Sequence, residues 1–254
     1  MLDWNGRRIP YAETRGGVIA VTNPIHNLVG MEQERSIPSE LIPKIHKSPH
    51  IRYFSGDERR RCKSSWGFYC DLQSMHSEDA ITWSVFGTMA RSTRTRKEAW
   101  LREFFEILNL SIAKVERSEI RLWHRLRHPD SIFLGGPEVD VLISTEDTLM
   151  LIEAKWLSPV DQNQGESGTK DQIQLRGEFL AKFGPRLFPP YFHYVVVGIS
   201  LLEGTFVDTT PKTVLFRSIT WEVVCALRAH PLATELGKYY EWRKAHTHSK
   251  RLKI

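Results

Sequence analysis

The chain has 254 residues, of which 41% are apolar and 26% charged, which is typical of a globular protein and excludes a disordered, collagen-like or coiled-coil chain. Its net charge of +5 is a mild basic excess. Because the longest apolar run, 194–202, is far shorter than the ~20 residues that cross a bilayer, we expect neither a signal peptide nor membrane association. The cysteines, Cys62, Cys70 and Cys225, are too few for a disulfide framework, which favours a cytoplasmic location.

Two regions are expected from the local composition. Residues 1–75 are rich in proline, glycine and polar residues, which predicts a small or loosely structured N-terminal region. Residues 76–254 show clearer periodicity and are predicted to form one domain with a C-terminal helical extension. Its first helix should begin after Ser77, a good N-cap, because Glu78 and Asp79 suit a first helical turn.

The elements predicted for this domain alternate between helical and strand periodicity. In chain order they are helices at about 78–90 and 97–108, strands at 120–127, 138–144 and 149–156, a helix at 170–183, strands at 191–200 and 212–219, and helices at 220–228 and 232–245. This order predicts an α/β fold with a mixed central sheet flanked by helices.

Two of the predicted strands carry a pair of acids and a lysine. If residues 146 and 147 form the hairpin loop, the numbers of paired residues sum to 293, and Asp140 lies opposite Glu153. The same register gives one apolar face, with Val139 opposite Ala154, Val141 opposite Ile152 and Ile143 opposite Met150. Lys155 is two residues after Glu153 on the same strand and therefore shares its face.

Two carboxylates that lie directly opposite each other on neighbouring strands repel each other unless a cation lies between them. Oxygen ligands from Asp140 and Glu153 suit Mg²⁺, with Mn²⁺ as a substitute. Lys155 beside such an ion would orient or deprotonate a water molecule, or offset the charge that develops in a phosphoryl transition state. The alternative is that both acids lie on the surface at the strand ends and that Lys155 forms a cross-strand ion pair with Glu138.

The sequence Pro137-Glu138-Val139-Asp140, followed by Glu153-Ala154-Lys155, resembles the motif of the PD-(D/E)XK nuclease superfamily. The resemblance implies a restriction-endonuclease-like core in αβββαβ order, which matches the elements predicted for about 77–200. It also implies that Asp140 and Glu153 are metal ligands and that Lys155 is the catalytic lysine. Pro137 lies three residues before Asp140, a departure from the simplest form of the motif that leaves Glu138 as a substitute or additional acid.

The resemblance points to two further positions. Relatives often place an acid on the first core helix, which implies Glu78 as a third metal ligand, with Asp79 as the substitute. The alternative role for Glu78 is to complement the helix dipole. Relatives also often carry a glutamine on the helix after the E-x-K strand, which implies that Gln172 binds the catalytic water or a phosphate. Its alternative is an ordinary polar helix face.

Basic residues occur in clusters, which suits a polyphosphate partner. Those expected to bind nucleic acid are Arg94, Arg96, Lys97, Arg121, Arg125, Arg127 and Arg176. A further cluster, with Arg243 and Lys244, lies near the C-terminus. The alternative is a solvated basic face without a partner.

Together these features predict a Mg²⁺-dependent nuclease that cleaves DNA endonucleolytically, with RNA as the alternative substrate. The setting expected for it is a bacterial defence or mobile-element system. Because the chain has no phosphate-binding loop of the G-x-x-x-x-G-K-[ST] type, ATPase activity and target recognition would come from a partner protein. A homodimer is compatible with the sequence. The alternative function is a catalytically inactive nuclease-fold subunit that serves DNA binding or assembly.

Overall fold

The chain divides into two units in the structure, which is a computed structural model. One unit comprises Met1–Val85 with Leu232–Ile254, and the other comprises Phe86–Pro231. The residues described are 1–13, 17–31, 37–46, 70–110, 114–130, 136–158, 170–188 and 193–247. Cys62, in the basic stretch 59–63, lies outside them. The division differs from the predicted one, because the C-terminal helical extension belongs with the N-terminal residues.

From residue 78 onwards, the helices and strands of the described residues follow the predicted order; the three elements before it were not predicted individually. The helices are α1 (Ile42–His46), α2 (Glu78–Thr82), α3 (Thr88–Ala90), α4 (Arg94–Ile107), α5 (Gln172–Leu187), α6 (Trp221–Cys225) and α7 (Ala233–His246). The strands are β1 (Tyr11–Glu13), β2 (Ile19–Val21), β3 (Glu119–Arg125), β4 (Glu138–Ser144), β5 (Thr148–Ala154), β6 (His193–Ser200) and β7 (Leu215–Thr220). A π-helical turn, Trp83–Gly87, joins α2 to α3, so the helix predicted at 78–90 has an irregular centre. Among these residues, no helix has both the length and the hydrophobicity needed to cross a bilayer.

In the first unit, α7 is held by buried hydrogen bonds to residues far away in the sequence. The guanidinium of Arg243, which is fully buried, donates to the carbonyl oxygens of Met75 and Ser77, each at 2.7 Å, and to the Tyr239 hydroxyl at 2.9 Å. The Tyr239 hydroxyl donates to the Asn27 carbonyl at 2.7 Å. Arg243 therefore does not belong to the surface basic cluster expected near the C-terminus.

The second unit contains a five-stranded mixed sheet in the order β3-β4-β5-β6-β7. β3, β4 and β5 form an antiparallel meander, and β6 and β7 then add in parallel. The parallel step from β5 to β6 requires a crossover, which α5 provides. The α/β class with a mixed sheet and flanking helices is confirmed. The hairpin register is also confirmed over its regular part, where Val141 pairs with Ile152 and Ile143 with Met150.

Helix α5 covers one face of this sheet. Its side chains pack with those of β4, β5 and β6 in a core that includes Leu142, Leu149, Leu151, Ile173, Phe179, Leu180, Phe183 and Val196. Gly184 lets helix and strand approach closely, because a Cβ there would lie 2.7 Å from the Tyr194 ring. The predicted end of this helix at residue 183 is wrong, since α5 continues through Gly184 and Pro185 to Leu187.

Candidate active site

Asp140 lies on β4 beside the end of the regular pairing with β5. That pairing runs from Ser144 to Val141. On the other side, Leu122 of β3 pairs with Val141 and His124 pairs with Val139, and Trp123 between them has a φ of 48°. A bulky residue in this left-handed region is strained by about 1–3 kcal/mol, and such strain is concentrated at functional sites.

The Asp140 carboxylate contacts β5 directly. Its Oδ2 accepts a hydrogen bond from the backbone N–H of Ala154 at 2.7 Å, which is a charge-assisted contact. The predicted pair of Asp140 and Glu153 lies beyond the regular ladder, which ends at the pair of Val141 and Ile152. The side chain of Asp140 nonetheless reaches the end of β5, where it contacts Ala154, the residue between Glu153 and Lys155.

Glu153 is almost completely buried, with 1% of its surface exposed, and it has a cationic neighbour. Arg176 of α5 donates from Nε to Glu153 Oε1 at 2.5 Å and from Nη2 to the Glu138 carbonyl at 2.7 Å. One guanidinium thus neutralises a buried carboxylate and links α5 to the ends of β4 and β5. Arg176 itself is 7% exposed, which corrects the expectation that it lies on a nucleic-acid-binding surface.

Lys155 directly follows β5 and is 8% exposed. Its backbone N–H donates to the Ile199 carbonyl at 2.8 Å, and its carbonyl accepts from the indole N–H of Trp221 at 2.9 Å. The exposed Glu138 forms an ion pair with Arg125, at 2.9 Å. Sequence reasoning missed Trp221. The sequence did contain a signal for it. If the strands predicted at 149–156, 191–200 and 212–219 are parallel, they end at the same edge of the sheet, and the residues that follow each strand lie together at that edge.

Gln172 is the first residue of α5 and lies one turn before Arg176, on the same side of the helix. Asp171 caps this helix, since its Oδ1 accepts from the backbone N–H of Gln174 at 2.7 Å. The Gln172 Oε1 is buried and has no hydrogen-bond partner in the described part of the chain. A buried acceptor without a donor costs about 1–3 kcal/mol, so this oxygen suits a bound water or another donor. Its predicted role is consistent with this position.

The carboxylates that could act as ligands of a divalent ion are those of Asp140 and Glu153. The residues with described placement contain no group of three or more His, Cys, Asp and Glu side chains that could hold a metal. Glu78 lies in the first turn of α2, in the other unit, and Asp79 is paired with Lys44 at 3.0 Å. The role of Glu78 as a metal ligand stays a prediction. Two carboxylates still fit Mg²⁺, which proteins often bind through one or two carboxylates, waters and substrate phosphates.

The basic residues expected to bind nucleic acid are mostly on the surface. Those that are exposed are Arg94, Arg96, Arg121, Arg125 and Arg127, and Lys97 is half-buried. Three of them form surface ion pairs, Arg94 with Glu98, Arg121 with Glu119 and Arg125 with Glu138. Solvent screens such surface pairs and makes them weak, so a phosphate can replace the carboxylate at little cost. Arg121 and Arg125 belong to β3, the edge strand beside the one that carries Asp140.

No protein-family model, curated protein or solved structure matches this chain. The assignment of a function therefore depends on the geometry at the ends of β4 and β5.

Proposed function

We propose that this chain is a Mg²⁺-dependent nuclease of the PD-(D/E)XK superfamily, with a restriction-endonuclease-like fold, and that it hydrolyses phosphodiester bonds of DNA. The observation that carries the proposal is the hydrogen bond from the Ala154 N–H to Asp140, which brings the acid of β4 to the Glu153-Ala154-Lys155 end of β5. The αβββαβ order of elements from α4 to β6 supports the proposed fold.

Each side chain of the site has a separate task in this reaction. A bound Mg²⁺ would polarise the scissile phosphate and lower the pKa of a water molecule. Asp140 and Glu153 would supply its carboxylate ligands, and Arg176 holds Glu153 in position through their hydrogen bond. The Lys155 ammonium stabilises the charge that develops on the phosphate oxygens or exchanges a proton with the attacking water. Gln172 Oε1 accepts a hydrogen bond from that water.

The exposed arginines of β3 and the basic residues at the start of α4 would bind the phosphate backbone. A partner of this kind is favoured because these cations are accessible and only weakly paired. Endonucleolytic cleavage, a cytoplasmic location, a defence or mobile-element setting and a partner protein that supplies recognition or ATPase activity stay predictions.

One observation favours a second function, that of a catalytically inactive nuclease-fold subunit for DNA binding or assembly. The Arg176 guanidinium lies 2.5 Å from Glu153 and competes with a divalent cation for that carboxylate. In an inactive subunit the ion pair would replace the metal as the partner of Glu153, and the basic surface would keep its binding role.

Cleavage assays distinguish the two functions. The purified chain is incubated with supercoiled plasmid, linear duplex, single-stranded DNA and RNA, each with Mg²⁺, Mn²⁺ or EDTA. We expect cleavage that requires the metal and that Lys155→Ala abolishes while binding is retained. Lys212→Ala, which changes an exposed lysine of the same unit, is the matched control and should keep full activity. Cleavage by Lys155→Ala or in EDTA would contradict the nuclease assignment, and DNA binding without cleavage would favour the inactive subunit.

A further inference from the structure

Trp221 is a fully buried residue that contacts the proposed catalytic lysine through the main chain. Its indole N–H donates to the carbonyl of Lys155 at 2.9 Å, although the two residues are 66 positions apart in the sequence. Trp221 begins α6 directly after β7. Since β5, β6 and β7 are parallel, Lys155 and Trp221 lie at the same edge of the sheet, where both strands end.

With the hydrogen bond from Trp221, both backbone polar groups of Lys155 are bonded. The N–H of Lys155 is bonded to Ile199 on β6, and its carbonyl is bonded to Trp221, so the peptide groups on both sides of its Cα are held. Lys155 lies beyond the last residue of β5, where the ladder no longer determines the direction of the carbonyl. Fixing both peptides fixes the direction in which the lysine side chain leaves the main chain.

A second tryptophan nearby shows that packing alone does not require this bond. Trp100 is also fully buried, and both indoles contact the Phe86 ring, with centroid distances of 5.5 Å for Trp100 and 6.4 Å for Trp221. The indole nitrogen of Trp100 has no hydrogen-bond partner within the described residues. The two tryptophans share one aromatic cluster, but one of them donates to the candidate site.

We infer that Trp221 is a positioning residue, which acts on the proposed nuclease reaction by holding Lys155 at the correct angle to the reacting phosphate. This inference rests on the proposed function. An error of about 1 Å in the position of a reacting group can reduce a rate by about 100-fold, so loss of the bond should reduce kcat more than substrate binding.

The test compares Trp221→Phe with Trp100→Phe in the full chain, using plasmid cleavage in Mg²⁺. Both variants remove an indole from the same cluster, but only Trp221→Phe removes the donor to Lys155. We expect Trp221→Phe to lower kcat about tenfold or more, with KM changed less than about twofold. Trp100→Phe should keep kcat within about twofold.

A benzothienyl variant separates positioning from a loss of packing. β-(3-Benzothienyl)alanine at position 221 removes the N–H and keeps the ring size, so the packing is retained while the donor to Lys155 is lost. We expect its kcat to fall as in Trp221→Phe, and it serves as the test if Trp221→Phe does not fold. A wild-type kcat for the benzothienyl variant, or equal kcat values for the position 221 and position 100 variants, would overturn the inference while leaving the proposed function intact. Absence of cleavage by the wild-type chain under all conditions would overturn both.

Discussion

Replacing Arg176 with methionine would remove the guanidinium from Glu153 while keeping a long apolar side chain on α5. The wild-type pair is almost fully enclosed, and the guanidinium makes two short hydrogen bonds, at 2.5 and 2.7 Å. Removing one partner of a buried ion pair leaves an uncompensated charge and costs about 3–5 kcal/mol. With an m-value of about 2 kcal/mol per molar urea, the unfolding midpoint in EDTA should fall by about 2 M.

Arg186→Met provides the matched control on the same helix. Arg186 pairs with Asp130 at 3.3 Å, and both side chains are exposed, so this variant should lose about 0–1 kcal/mol. Adding Glu153→Gln to Arg176→Met removes the uncompensated charge and should recover about 2 kcal/mol. Mg²⁺ should raise the midpoint of Arg176→Met more than that of the wild type, because the ion then replaces the missing cation. Equal losses in the two methionine variants would refute the assigned role of Arg176.

Three further predictions concern metal, substrate and pH. Asp140→Asn should weaken Mg²⁺ binding about tenfold or more in calorimetric titrations and leave the fold intact, because the amide oxygen still accepts from Ala154; unchanged affinity would exclude Asp140 as a ligand. Replacing Arg94, Arg96 and Lys97 of α4 with alanine should reduce the slope of the logarithm of the DNA-binding constant against the logarithm of the salt concentration. The expected reduction is roughly one unit per lost phosphate contact, and an unchanged slope would indicate that these residues have another role. Burial and the nearby Arg121 lower the pKa of His124 in the folded protein. Neutral His124 therefore contributes its full share to the stability of the fold above the unfolded pKa of about 6.5, and this contribution is lost as the pH falls through the folded pKa. His124→Gln should therefore show a smaller loss of urea stability between pH 7 and pH 5 than the wild type, and equal losses would contradict this.

Local sequence patterns predicted the strands of the candidate site well. The alternation of polar and apolar residues gave the bounds of β4, Glu138–Ser144, and the position of the turn gave the register with β5. Ser77 caps α2 as predicted, since its hydroxyl accepts from the N–H of Ala80 at 3.1 Å. These features depend on residues within a few positions of one another, where periodicity and capping are informative.

Other features depend on long-range contacts that no local pattern contains. Trp221 is far from Lys155 in the sequence, and the aromatic periodicity around it is equally compatible with ordinary packing. The sequence predicts Arg176 to bind nucleic acid, because only the packing of α5 on the sheet places it beside Glu153. The positive φ of Trp123 also has no sequence signal, because glycine or asparagine is the usual residue in that conformation. The membership of α7 in the first unit follows only from contacts such as that of Tyr239 with Asn27.

The arrangement of the two units in the sequence affects the order in which they can fold during synthesis. Residues 1–85 leave the ribosome before the second unit does, but their own unit also includes α7, whose Arg243 binds the Met75 and Ser77 carbonyls. The second unit is one continuous segment and can complete its sheet as soon as residue 231 has emerged. Domains commonly fold from the N-terminus onwards. Here the nascent N-terminal segment must instead wait, with Asn27, Met75 and Ser77 carbonyls exposed to water, until the inserted unit has been made.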